Sequence, residues 1–63
     1  RTRSTLKLGD TGTAVKDLQR QLGVKQDGAF GVETLTAVKT FQRERGLEPD
    51  GIVGAATNAQ LFK

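Results

Sequence analysis

The chain has 63 residues, which is enough for one small domain with a limited core. It contains no Cys and no His, which excludes disulfides, thiolate metal sites, Cys nucleophiles and His-based catalytic triads. Ten Lys and Arg against seven Asp and Glu give a net charge of +3, which suits an anionic partner without identifying one.

The first residues are polar and show no periodicity. We interpret 1–5 as a tail or linker and 6–63 as the folded domain. No stretch of the sequence has the pattern of a signal peptide or a membrane span, so no membrane partner is predicted. Because the chain begins with Arg1 rather than Met, we expect a module excised from a larger protein.

Two apolar anchors are expected just before the first helix. Leu6 and Leu8 are separated by one Lys, which predicts a short extended lead-in, and a Gly-Asp-Thr-Gly turn follows at 9–12. The first helix is predicted over about 13–22 and ends at Gly23, a residue suited to positive φ. Its apolar residues recur on one helical face: Val15, Leu18 and Leu22.

Two further helices are expected in the second half of the chain. One is predicted over about 32–45 and ends at Gly46, and Pro49 prevents its continuation. Its buried side is predicted to contain Leu35, Ala37, Val38 and Phe41. The last helix, from about 55 to 61 or 62, is too short to be stable alone and must pack on the others. Its packing residues are predicted to be Ala56, Ala59 and Leu61.

One turn motif, D-G-x-[apolar]-G-x-x-T, occurs twice in the sequence. The copies are Asp27-Gly28-Ala29-Phe30-Gly31 with Thr34, and Asp50-Gly51-Ile52-Val53-Gly54 with Thr57. In such a turn the Asp side chain accepts backbone N–H bonds, the first Gly adopts positive φ and the second Gly opens a helix. The apolar residue between the glycines is expected to plug the core. We therefore predict an all-α, small three-helix bundle with two D-G-x-[FV]-G loop–helix pseudo-repeats.

Catalysis and metal binding find little support in these residues. A glycosidase needs two carboxylates that flank a cleft, and Asp27 and Asp50 would be the pair to test. Stabilisation of their own turns explains both residues more simply. A calcium loop with Gly28 or Gly51 at its sixth position would lack the carboxylates at its first and twelfth positions. No catalytic residue, metal ligand or cofactor is predicted.

Nucleic acid is also not predicted as a partner, because of the residues in the last helix. A recognition helix should present Arg, Lys, Asn or Gln to the groove. The last helix carries only Asn58, Gln60 and Lys63 among these residue types. Binding to DNA would predict a steep loss of affinity with salt, which separates this alternative from the others.

The ordered motifs resemble the type-1 family of peptidoglycan-binding domains over about residues 6–61. The resemblance rests on Leu8-Gly9-Asp10, Gly12, Val15, Leu18-Gln19, Leu22-Gly23, both D-G motifs, Ala37-Val38-Lys39-Thr40-Phe41-Gln42 and Gly46-Leu47. Relatives often have Pro after the glycines that open the helices, where this chain has Thr13, Val32 and Ala55, and an aromatic residue at the position of Asn58.

The resemblance implies a noncatalytic module of a cell-wall enzyme, such as an amidase, muramidase, lytic transglycosylase or phage endolysin. Its partners would be peptidoglycan, through the glycan strand or stem peptide, and a linked catalytic domain. The location would be extracytoplasmic, in the cell wall or periplasm, and the module is expected to be a monomer. The alternative is a protein-interaction or prodomain-like module on the same fold. Matrix metalloproteinase prodomains use a related fold, with a Cys that blocks zinc, and this chain has no Cys.

A groove for peptidoglycan should present backbone N–H groups, amides, cations and an apolar wall. We predict that the repeat loops and the end of the second helix supply these contacts, through Asp27, Gly28, Phe30, Gly31, Gln42, Arg43, Arg45, Asp50 and Gly51. Phe30 would form the wall. Structural roles remain open for several of them: Phe30 as core, the two Asp as turn stabilisers, and Gln42, like Gln19, as a tie to loop carbonyls.

Overall fold

The computed structural model describes residues 5–62 and contains three helices. They are α1 (Thr13–Leu22), α2 (Val32–Glu44) and α3 (Ala55–Leu61). Within the described range the remaining backbone pairing consists of isolated antiparallel bridges, Leu6 with Val53 and Thr11 with Ala29, so the prediction of a small all-α domain is confirmed. Residues 1–4 of the predicted tail, and Lys63, lie outside the described residues.

The helices begin and end where the glycines predict. Glycines occupy all three N-cap positions, at Gly12, Gly31 and Gly54, and α1 ends at Gly23 with φ of 77°. The α2 helix ends at Glu44, one residue before the predicted end. The residue after each C-terminal glycine folds back onto its helix: the N–H of Val24 donates to the carbonyl of Gln19 at 3.1 Å, and that of Leu47 to Gln42 at 2.8 Å. Both contacts close the last helical turn.

The core consists of apolar side chains from both the helices and the loops. Its buried members are Leu6, Val15, Leu18, Phe30, Val38, Val53 and Leu61, and Leu22, Leu35, Phe41 and Phe62 pack against them half-buried. Both apolar residues of the D-G motifs, Phe30 and Val53, are thus core residues, as the plug hypothesis predicts. The loops contribute to the core because three short helices alone cannot enclose one.

Residues 6–12 form a strap that crosses both D-G loops. Leu6 exchanges two backbone hydrogen bonds with Val53, at 3.1 and 2.8 Å. Further along, the carbonyl of Phe30 accepts from Gly9 at 3.0 Å, and its N–H donates to Asp10 at 2.8 Å. The strap therefore fixes both loops to the same stretch of backbone.

The prediction that Leu8 anchors the core is wrong, because its side chain is 52% exposed. The cause is a turn that starts earlier than predicted. The N–H of Asp10 donates to the carbonyl of Lys7 at 3.1 Å, and the Asp10 carboxylate accepts from the Lys7 N–H at 3.0 Å. Leu8 lies inside this turn and points outward, so Leu6 is the anchor of the lead-in.

The packing face of α3 also differs from the prediction. Ala56 and Ala59 are exposed, whereas Thr57, Asn58 and Leu61 are buried. The buried positions follow a helical spacing of one and four, and the two alanines lie on the opposite side. A hydrogen bond between Thr57 and Gln42 sets this rotation.

Candidate functional site

A buried glutamine of α1 binds the inner side of the first D-G loop. Gln19 is 1% exposed, and its Nε2 lies 2.9 Å from Oδ1 of Asp27, 3.0 Å from the carbonyl of Ala29 and 3.0 Å from Oγ1 of Thr34. Its Oε1 accepts from the N–H of Gly28 at 2.9 Å. Because Nε2 carries two protons, the three acceptors share them. One side chain therefore fixes the turn, the plug segment and the start of α2.

The second loop has the same arrangement around Gln42. Its Nε2 lies 3.2 Å from Oδ1 of Asp50, 3.0 Å from the carbonyl of Ile52 and 3.0 Å from Oγ1 of Thr57. Its Oε1 accepts from the N–H of Gly51 at 3.0 Å. Each residue of this set occupies the position in the second motif that its counterpart occupies in the first.

The two Asp side chains complete their own turns. Oδ1 of Asp27 accepts from the N–H of Ala29 at 3.0 Å, and Oδ1 of Asp50 accepts from the N–H of Ile52 at 2.9 Å. The hydrogen bond from Ala29, followed by that from Gln19, lowers the pKa of Asp27 below its ordinary value because both stabilise the carboxylate. A general acid at neutral pH needs a raised pKa, so Asp27 is unsuited to that role.

Four of the predicted site residues are turned into the protein. Phe30 is 2% exposed in the core, and Gln42 is 1% exposed. Gly28 and Gly51 are buried, and their N–H groups bond to the glutamines. The structural roles left open for Phe30 and Gln42, core packing and a tie to a loop carbonyl, are the ones observed. These residues shape the loops from inside.

The other five predicted residues are exposed: Asp27, Gly31, Arg43, Arg45 and Asp50. Asp27 and Gly31 share one loop, and Asp50 lies in the other. The guanidinium of Arg45 lies 5.2 Å from the centre of the Phe41 ring, a cation–π distance. Within residues 5–62, no hydrogen bond or ion pair joins Arg43 or Arg45 to either loop through their side chains. The structure thus links seven predicted residues through the two loops and leaves these arginines apart.

Sequence reasoning assigned no role to the buried threonines or to two lysine stems. Thr34 and Thr57 accept from the glutamines, although only their place in the repeated motif marked them. Lys16 lies against Gly28, and Lys39 lies against Gly51. The signal for all four was the recurrence of the same residue type at matching positions relative to the two motifs.

Residues 5–62 contain neither a cluster of metal-ligating side chains nor a helix suited to cross a membrane. Among residues 5–62, no group of three His, Cys, Asp or Glu side chains is placed to hold a metal ion. None of the three helices described is long and apolar enough to cross a membrane. The ion pairs in this range are Lys7 with Asp10 at 3.8 Å and Asp17 with Arg20 at 3.7 Å, both at the surface.

Comparison with solved structures finds the same fold in parts of several larger proteins. A peptidoglycan-binding protein from Clostridioides difficile, in complex with glutamine hydroxamate, is 38% identical with a TM-score of 0.89. The Burkholderia AP3 phage endolysin is 43% identical with a TM-score of 0.90. A fused zinc-dependent amidase/peptidase and peptidoglycan-binding-domain protein from Clostridium acetobutylicum is 32% identical with a TM-score of 0.91.

The matches cover nearly all of this chain but a minor part of each relative. They include 92%, 92% and 100% of this chain, and 40%, 24% and 30% of the three proteins in the same order. No curated protein sequence matches the chain. The family model described as "Putative peptidoglycan binding domain" matches residues 11–61. Since this match spans most of the chain, the protein belongs to the type-1 peptidoglycan-binding domain family.

Proposed function

We propose that the chain is a noncatalytic module that binds bacterial peptidoglycan and holds a linked hydrolase on its substrate. Family membership carries the proposal, supported by the similarity to an endolysin and to a fused zinc-dependent amidase. In both proteins the matching region is less than a third of the chain. A module of this kind raises the local concentration of substrate for the domain to which it is tethered.

A purely binding role is consistent with the chemistry of the loops. Asp27 and Asp50 are each engaged in a turn, and the chain offers no Cys or His.

We place the module outside the cytoplasm, in the cell wall or periplasm, as a monomer. We assign 6–63 to the domain and 1–5 to a tail or linker.

The matched hydrogen-bond sets support a duplicated loop–helix unit. Gln19 and Gln42 hold their loops through the same atoms, at distances of 2.9 to 3.0 Å in the first loop and 3.0 to 3.2 Å in the second. We propose that each unit presents an equivalent exposed edge to the polymer. Asp27, Gly31 and Asp50 would lie on these edges.

The remaining predicted residues then divide into two roles. Gly28, Phe30, Gln42 and Gly51 hold the edges in shape from inside, while Arg43 and Arg45 offer exposed cations at the end of α2. Preorganised loops lose little conformational freedom on binding, which favours affinity from a small contact area.

Co-sedimentation with purified insoluble peptidoglycan tests the function. We expect the chain to pellet with the polymer at low salt, and muropeptide fragments to shift the amide resonances of residues 27–31 and 50–54. The amide resonances of the buried Val15 and Leu18 serve as the internal control. Absence of co-sedimentation, or hydrolysis of wall material by the chain alone, would refute the proposal. Binding to a protein partner without affinity for the wall would favour the protein-interaction alternative.

A further inference from the structure

A pair of basic residues four positions apart occurs at the same place in the helix that precedes each D-G loop. Lys16 and Arg20 lie in α1, and Lys39 and Arg43 occupy the matching positions of α2. Like charges at this spacing are neighbours on a helix surface and destabilise it slightly. Arg20 and Arg43 lie in the last turns of their helices, where the helix dipole favours a cation, and Arg20 also pairs with Asp17. Neither reason applies to Lys16 and Lys39, so the recurrence of these two lysines requires another explanation.

Packing on the turn glycines holds the two lysine stems in place. A Cβ built on Gly28 would lie 3.3 Å from Cε and 3.4 Å from Cγ of Lys16. A Cβ built on Gly51 would lie 3.2 Å from Cε of Lys39. Each stem thus covers its glycine, and the ammonium group one bond further lies beside the exposed loop. Ordering of these stems in the free protein reduces the entropy lost when the charge engages a ligand.

Neither ammonium group has an acidic partner in the described part of the chain. No Asp or Glu stands three or four residues from Lys16 or Lys39 in the sequence. No carboxylate of residues 5–62 lies within 4.0 Å of either group, although the turns at Gly28 and Gly51 each begin with an Asp. The two positive charges are held beside the loops and remain uncompensated by the protein.

We propose that Lys16 and Lys39, assisted by Arg20 and Arg43, form two equivalent contact points for the carboxylates of peptidoglycan stem peptides. The inference rests on the proposed function and adds to it the part of the polymer that is recognised. Sugar hydroxyls do not require a cation, whereas a carboxylate gains a charge-assisted hydrogen bond from a lysine. Wall phosphate polymers carry a similar oxyanion, so the test must separate the two sources.

The test compares two double variants of the full chain that have the same net charge. Lys16→Met/Lys39→Met removes both ammonium groups and keeps an apolar stem over each glycine. Lys7→Met/Lys25→Met removes two exposed ammonium groups from residues that are not the nearest neighbours of these glycines. Thermal unfolding of both variants is measured first, and midpoints within a few degrees of the parent chain are expected.

Binding is then measured at low salt on peptidoglycan stripped of phosphate polymers. We expect Lys16→Met/Lys39→Met to weaken binding about tenfold, since exposed charge contacts each contribute up to about fivefold, and the control to weaken it less than about twofold. Conversion of the stem carboxylates to amides should cause the same loss for the parent chain and no additional loss for Lys16→Met/Lys39→Met.

Each other outcome overturns a defined part of the proposal. Equal losses in the two double variants would mean that only net charge matters, and the assignment to Lys16 and Lys39 would fail. Unchanged binding of Lys16→Met/Lys39→Met would have the same consequence while the proposed function stands. Binding only to unstripped walls would assign the charges to phosphate. A parent chain that binds neither material would overturn the proposed function itself.

Discussion

The two D-G loops share their hydrogen bonds but differ in the apolar packing around them. Above Gly28, the atom nearest to an added Cβ is the end of Lys16, at 3.3 Å. Above Gly51, it is Cδ1 of Leu35, at only 2.5 Å. Polar contacts require particular atoms at particular distances, whereas apolar contacts require mainly a filled volume. This is consistent with the recurrence of the glutamines and their polar partners in both loops, while the apolar neighbours of the turn glycines differ.

The strap adds a second difference between the loops. It makes three backbone hydrogen bonds to the first loop, through Gly9, Asp10 and Gly12, and two to the second, both through Leu6. Leu6 is also the buried side chain of the strap, so the second loop depends on one residue for both its backbone pairing and its apolar cover. The loops should therefore respond differently to substitutions in the strap and at the turn glycines, but alike to substitutions of the shared glutamines.

Replacement of the buried glutamines by glutamate should have the largest effect. In Gln19→Glu, an oxygen replaces the Nε2 donor and faces Oδ1 of Asp27, the carbonyl of Ala29 and Oγ1 of Thr34. Three acceptors and a buried charge are left unsatisfied, and we expect a loss of more than about 3 kcal/mol of unfolding free energy at pH 7. Gln42→Glu should be as damaging. Chemical denaturation measures both.

The pH dependence of these variants separates a lost donor from a general packing defect. The new Glu is favoured in its protonated form in the fold, so its folded pKa is raised above about 4.3, the value expected when unfolded. Relative to the parent chain, the deficit should therefore grow as the pH rises above about 4. A deficit that is constant from pH 4 to 7 would show that the hydrogen-bond sets do not account for the loss. Gln19→Leu, which cannot titrate, is the control.

Truncation of the strap anchor should have the next largest effect. We expect Leu6→Ala to cost about 2–3 kcal/mol, because its side chain is buried in the core. Leu8→Ala is the matched control and should cost less than about 0.5 kcal/mol, since that side chain is exposed. Hydrogen exchange should show that Leu6→Ala accelerates exchange at Val53 more than at Phe30. Equal acceleration at both amides would contradict the dependence of the second loop on Leu6.

Alanine at the turn glycines should reveal the difference in packing directly. Gly28 and Gly51 have nearly equal φ values, +76° and +78°, so backbone strain contributes equally at about 1–2 kcal/mol. At Gly51 the new methyl group must also displace Leu35, and we expect Gly51→Ala to cost about 1 kcal/mol more than Gly28→Ala. Thermal or urea denaturation measures the difference.

A third glycine isolates the backbone contribution to this comparison. Gly23 has φ of +77° and no atom within 4 Å of an added Cβ. Gly23→Ala should therefore cost only the strain, and Gly28→Ala slightly more. A smaller loss for Gly51→Ala than for Gly23→Ala would mean that Leu35 moves aside without cost.

The sequence allowed the helix boundaries to be predicted because local residues determine them. Gly23 acts through its positive φ and Pro49 through its missing N–H, so no knowledge of tertiary structure was needed for these ends. The prediction for α2 was one residue too long, because Arg45 caps the helix before Gly46 adopts its positive φ.

The buried face of a helix and the role of a site residue were harder to predict, because residues far away in the sequence can determine them. The inward face of α3 depends on the bond between Thr57 and Gln42, which are separated by 15 positions. The exposure of Leu8 has instead a local cause that the prediction missed, a turn that Asp10 closes through its side chain. At the candidate site, the D-G motifs predicted the turns correctly. For Gln42 and Phe30, the sequence left two roles open, contact with the ligand and support of the fold, and the structure shows both side chains buried.

Protonation of Asp27 should have the smallest effect, and its direction follows from the hydrogen bonds. The N–H of Ala29 and Nε2 of Gln19 hold the pKa of Asp27 below its ordinary value of 3.8. A lowered folded pKa contributes stability that is present above the ordinary value and is lost as the pH falls through the folded one. Carboxyl resonances followed by NMR between pH 2 and 6 should therefore place this titration below 3.8.

Asp27→Asn separates the charge from the hydrogen bond, because an Asn side chain still accepts from the N–H of Ala29. The stability gap between the parent chain and this variant should close as the pH falls through the titration of Asp27. If the difference in unfolding free energy instead stays the same at low pH, the charge of the Asp27 carboxylate does not contribute to the stability of the turn. A titration at or above 3.8 would mean that the bond from Ala29, the main cause of the lowered pKa, does not form in solution.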